Sequence, residues 1–164
     1  MNRRPHRPTP GYLVWRLAMK WRATVDAAVA PLGLTHAQYV VLASLWGLSR
    51  AGEQPCQRAL ADHTGLDPIY VSKLARRLEA GGLLMRVPDP ADSRALRLII
   101  TEEGRKVIDP AIEIVRDLQE QLTAPLGGTN SSRTTALMDD LESLIAAPAA
   151  VNGSEASDTT GSGT

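Results

Sequence analysis

Residues 68–78 read Pro-Ile-Tyr-Val-Ser-Lys-Leu-Ala-Arg-Arg-Leu and contain no acidic side chain. On a helix, at ~100° per residue, Val71, Leu74, Ala75 and Leu78 share one face. Ile69, Lys73, Arg76 and Ala80 fall opposite, flanked by Tyr70, Ser72 and Arg77. With Pro68 at its start, this outer face suits duplex DNA. Lys73 and Arg76 can meet phosphates or guanine edges, Tyr70 and Ser72 can donate to bases or phosphates, and Ile69 can pack on a thymine methyl. A plain basic surface helix would show the same wheel, so a second element must decide. Arg94 supplies one. It ends the turn-rich run Pro88–Ser93, where a side chain could enter a narrow minor groove. Asp92, two residues before it, is placed to hold its guanidinium. Arg86 is expected near phosphate.

Other chemistry finds less support. There is no Gly-x-Ser-x-Gly, no phosphate loop and no carboxylate pair in a cleft-forming motif, so no enzyme and no cofactor are expected. Cys56 is the single cysteine, which excludes an intrachain disulfide and a cysteine-based zinc knuckle. It stands where Ser or Thr would cap a helix. Arg58 and the helix start could lower its pKa and make it a thiol switch; the plainer role is an inert cap. Cys56 and His63 lie ~10 Å apart along a helix, too far to share a metal, and no metal site is expected.

The chain has 164 residues, 43% hydrophobic and 22% charged, with no Phe. That is a globular composition of about one domain. No apolar run reaches the ~18–20 residues of a membrane span. The positive N-terminus lacks a following apolar stretch, so no signal peptide is read and the cytoplasm is the expected compartment. A formal net charge of zero hides a basic first segment, residues 1–22, and an acidic last third. Global charge thus argues neither for nor against nucleic acid, and local placement must decide.

The elements that position these residues follow from caps and periods. A helix begins at Tyr12 and ends at Pro31 and Gly33. Thr35-His-Ala-Gln38 is a capping box before the apolar period Val41, Leu42, Leu45, Leu48. Gln57–Thr64 is a short helix closed by Gly65, and Asp67-Pro68 is an N-cap with Pro in the first helical position. Leu83–Val87 and Ala95–Ile100 form a hairpin around turn residues. A helix then starts at Thr101-Glu102-Glu103, Pro110 should kink or restart it, and a last helix begins near Ser132. The fold class is mainly α with a small β-hairpin wing, that is, a winged helix-turn-helix with further helices at both ends.

Gly65-Leu66-Asp67, Arg77-Leu78-Glu79-x-x-Gly82-Leu83-Leu84-x-Arg86 and Asp92-x-Arg94-Ala95-x-x-Leu98-x-Ile100-Thr101-x-x-Gly104 resemble the multiple-antibiotic-resistance regulator (MarR) family. The resemblance covers about residues 11–146, with Ile100 in place of the usual Leu. It implies a homodimeric transcriptional regulator, a repressor, bound to a pseudo-palindromic operator in double-stranded DNA. The chain would then divide into a flexible basic arm (1–10), an N-terminal dimerisation helix (11–34), the winged helix-turn-helix (35–101), C-terminal dimerisation helices (102–146) and a disordered tail (147–164). Val14, Leu17 and Ala18, with Leu137, Leu141, Leu144 and Ile145, supply apolar stripes for a second copy. The family also implies release by a small aromatic or phenolic effector, for which Tyr12, Trp15, Arg16, His36 and Tyr39 are the candidate contacts; core filling is the alternative use of the rings. A winged-helix protein–protein adaptor, or redox sensing through Cys56, are the alternative functions.

Overall fold

The computed structural model describes residues 7–90, 92 and 94–148. The expected arm, except Arg7 to Pro10, and the tail beyond Pro148 lie outside the described residues. The chain forms two compact units, one up to Gln121 and one from Leu122.

In the first unit, α1 (Pro10–Val29) starts two residues before the apolar period does. Thr9 accepts the Tyr12 N–H and Pro10 takes the first turn, where its missing N–H costs nothing. A 3-10 turn, Ala30–Leu32, ends at Gly33 in the left-handed region. The capping box of Thr35 and Gln38 opens α2 (His36–Arg50) with both reciprocal bonds present. Cys56 caps α3 (Gln57–Thr64), its Sγ accepting the Ala59 N–H at 3.4 Å. This is the cap role expected of it.

The first helix of the turn motif stops at Gly65, with φ +67°. Asp67 then starts α4 (Pro68–Ala80), its Oδ1 accepting the N–H groups of Ile69 and Tyr70 at 2.9 and 3.0 Å. β1 (Leu84–Pro88) and β2 (Leu96–Ile100) pair antiparallel in the register Leu84 to Ile100 and Pro88 to Leu96. Each strand begins one residue later than the sequence suggests. The Leu83 N–H still closes α4 by bonding the Leu78 carbonyl at 2.9 Å, and the Ala95 N–H belongs to the turn, bonding the Asp92 carbonyl at 2.9 Å. Segment 55–56 lies against the far edge of β2: the Leu98 N–H donates to the Pro55 carbonyl at 3.0 Å, and Cys56 bridges Arg97.

One core serves the whole unit. Val25 and Val29 of α1, Val41, Leu42 and Leu45 of α2, Leu60, the inner face of α4, Leu84, Leu98, and Ile108, Ala111 and Val115 of α5 (Glu102–Thr123) are all buried. α5 does not restart at Pro110; the proline is exposed and its neighbours Ile108 and Ala111 are fully buried. Core packing on either side holds the helix through the lost bond. Thr101 joins α5 to the exit of α4: its hydroxyl donates to the Gly82 carbonyl at 2.6 Å, its N–H to the Leu83 carbonyl at 3.1 Å. At Gly104 a Cβ would stand 1.9 Å from the Leu83 carbonyl oxygen, so only glycine fits.

In the second unit, a 3-10 turn (Ala124–Leu126) precedes α6 (Ser132–Ala146), capped by Ser131. The Thr134 hydroxyl is buried and donates to the Gly128 carbonyl at 2.8 Å. No other residue of α6 is buried. Among the described residues no single helix is long and apolar enough to cross a membrane.

Candidate nucleic-acid interface

The wheel expected for residues 68–78 is the one observed. Val71, Leu74, Ala75 and Leu78 are buried to 2% exposure or less. Pro68, Lys73, Arg76 and Arg77 are exposed, Ser72 is half-buried, and Ile69 and Tyr70 are 68% and 43% exposed. An isoleucine left that open beside cations is not core material. Arg76 reaches Ser72 at 3.4 Å. Lys73, Arg76 and Arg77 have no acidic partner among the described residues.

The wing carries Arg94 on an exposed turn. Asp92 does not hold its guanidinium. The carboxylate instead accepts the Arg94 main-chain N–H at 2.9 Å, the local bond that Asp makes two residues ahead in a turn. Asp92 thus shapes the backbone and leaves the cationic group free of an acid among the described residues. Arg94 also lines a concavity of about 390 Å³ with Cys56, Gln57, Arg58, Asp92, Ala95 and Leu96. Arg58 is therefore a further cation on this side, which sequence reading weighed only for its effect on Cys56.

Arg86 differs from expectation. Its Nε and Nη2 lie 2.7 and 2.5 Å from Glu79 Oε2, and its main-chain N–H donates to Glu79 Oε1 at 3.1 Å. These bonds hold the Glu79 carboxyl below the usual carboxylate range. The guanidinium is engaged in tying β1 to α4.

The five expected ligand contacts do not form one group. Tyr12 and Trp15 stack at 6.1 Å with Arg16 5.9 Å from the Tyr12 ring, all exposed on the first turns of α1. Tyr39 packs against the core, and burial pushes its hydroxyl pKa up. His36 lines a cavity of about 220 Å³ with Arg22, Ala37, Val40, Leu66 and Tyr70. Tyr12 lies ~15 Å along α1 from Arg22 at 1.5 Å per residue. The His36 main-chain N–H donates to Asp26 Oδ1 at 2.7 Å. Burial, then the charge of Arg22, lowers the His36 pKa. Arg22, Leu66 and Tyr70 were missed because residues so far apart in sequence meet only through the fold. Tyr70 belongs both to this cavity and to the outer side of α4.

The described geometry has close counterparts. A family model described as "MarR family" matches residues 34–96. The HTH-type transcriptional regulator YdcH of Bacillus subtilis is 33% identical over 116 residues, 71% of this chain and 79% of that protein. An HTH-type transcriptional repressor of Mycobacterium tuberculosis is 30% identical over 136 residues, 81% of this chain and 93% of that one. The crystal structure of CouR from Rhodococcus jostii, bound to p-coumaroyl-CoA, superposes with a TM-score of 0.70 at 30% identity, covering 84% of this chain and 92% of that chain.

Proposed function

The chain belongs to the MarR family of helix-turn-helix transcriptional regulators, and on that premise we propose that it is a ligand-responsive repressor, not an enzyme, acting in the cytoplasm as a homodimer on a pseudo-palindromic operator. The observation that carries this reading is the outer face of α4, where Lys73, Arg76 and Arg77 stand exposed without an acid beside them. In the major groove, Lys73 and Arg76 take phosphates or guanine edges, Tyr70, Ser72 and the helix start at Pro68 take further polar contacts, and Ile69 takes a thymine methyl. Arg94 enters the neighbouring minor groove. Arg86 acts by fixing the wing on α4 through Glu79.

Exposed apolar residues favour a second copy. Leu13, Val14 and Leu17 on α1 are 43–50% exposed, and Leu144 and Ile145 on α6 are 65% and 83% exposed. Covering both stripes with a partner copy removes them from water and spaces two α4 helices for successive turns of the duplex.

The cavity of Arg22, His36 and Tyr70 suits a small aromatic anion, with Arg22 on the charge and Leu66 and Val40 on the ring. Its occupant would compete for Tyr70, which supports release on binding. Selection from a randomised duplex pool, with molar mass measured on the complex, tests the reading. The expected product is an inverted repeat bound by two copies. An unenriched pool, or one copy per duplex, overturns it.

A further inference from the structure

Most ion pairs of the described residues lie open to water, with both side chains more than half exposed; two do not. Glu79–Arg86 and Asp89–Arg97 are the enclosed ones, the latter at 14% and 26% side-chain exposure. Both serve the hairpin. The first ties its base to α4. The second lies toward the tip, where apolar support has run out: Leu84, Leu98 and Ile100 are buried, but Leu96 is half-buried and Pro88 exposed. A two-stranded hairpin without further packing is marginal.

Arg97 meets this deficit from the side of β2 opposite Leu98. Its Nε donates to Asp89 Oδ2 at 2.9 Å and its Nη1 to Gln54 Oε1 at 3.3 Å. Asp89 is the first residue past β1, and its N–H donates to the Ala95 carbonyl at 3.0 Å, closing the last rung before the turn that bears Arg94. Gln54 lies on the segment that enters α3. The planar fork of one guanidinium therefore joins the turn end of the hairpin to the segment that enters α3.

We infer that Arg97 is a positioning residue for DNA binding: by bridging Asp89 and Gln54 it fixes where the wing carries Arg94, without itself touching the duplex. This rests on the proposed use of Arg94. If it holds, losing Arg97 costs affinity only while Arg94 is present to be misplaced.

A double-mutant cycle reads this directly, using the full chain and an operator duplex obtained by the selection above. Arg97→Met keeps the aliphatic stem and removes the fork. It should weaken binding about 5-fold, and Gln54→Ala, a surface change that leaves the Asp89 contact, about 2-fold. Arg97→Lys retains one contact and should recover part of the loss. Arg94→Ala should weaken binding about 10-fold, and Arg94→Ala/Arg97→Met no further. Minor-groove protection at the wing should fade in Arg97→Met while major-groove protection stays. Losses that multiply in the double variant, or wild-type binding by both Arg97→Met and Gln54→Ala, would overturn the inference. Wild-type binding by Arg94→Ala would strike the reading beneath it as well.

Discussion

α4 and α5 both turn a charged face to solvent, and they treat their cations in opposite ways. On α5, Lys106 is bonded to Glu103 at 2.7 Å with Glu102 3.4 Å away, and Arg116 is paired with Glu113. Arg105 rests over the Trp46 ring at 5.7 Å. On α4, Lys73, Arg76 and Arg77 stand three and four residues apart with no acid among them. Like charges at those spacings cost a helix about 0.2–0.5 kcal/mol per pair. A surface that only needs solvation pairs its cations locally, as α5 does. One that keeps such repulsion gains when an anion arrives from outside. A formal net charge of zero conceals this, because a sum over the whole chain does not show which cations are paired.

The strongest way to break the contrast is to reverse it. Lys73→Glu with Arg76→Glu should lower operator affinity by at least about 100-fold, whereas Lys106→Glu on α5 should change it less than about 2-fold. Comparable losses from both helices, measured by fluorescence anisotropy at matched salt, would erase the distinction. Next in size, Asp67→Ala removes the cap that holds the first turn of α4, for about 1 kcal/mol of stability. Thermal unfolding should register it, and an unchanged midpoint would deny Asp67 that role. A finer probe is the salt dependence. Lys73→Ala should reduce the slope of log K against log salt by about 1, and Lys106→Ala by none.

The smallest effect concerns His36. Its pKa is lowered in the fold by burial and by Arg22, so the unfolded chain takes up the proton first. The stability involved is complete above the ordinary value of 6.5 and is lost as pH falls through it toward the lower folded value. His36→Gln should flatten that part of the stability profile. An equal slope in both proteins would assign it elsewhere.

Local signals were legible and long-range ones were not. The capping box at Thr35, the Gly65 and Asp67-Pro68 punctuation and the inner stripe of α4 are contained within four or five residues, and each appears in the fold where the sequence puts it. The partner of Arg86 was not legible, because it depends on how the hairpin returns across α4 to meet Glu79. Likewise Asp89, Arg97 and Gln54 come from three segments, and Arg22, His36 and Tyr70 from three helices. The Asp92 expectation was right about adjacency and wrong about the atom, since a two-residue separation favours the main-chain N–H over a long flexible guanidinium. The expected ligand set mixed residues from the start of α1 with residues that sit by a cavity about half its length away.

At Gly104 the backbone of α5 rests on the backbone leaving α4, with no side chain between them to yield. Such a seat contains no side chain that could shift to absorb a displacement of either backbone. The thirteen residues of α4 make a rod of about 20 Å. A tilt of about 10° at its seated end would carry the far tip about 3.4 Å, one step along a strand of the duplex. The fit at Gly104 thus bears on register, since a tilt of that size matches the rise of one base pair.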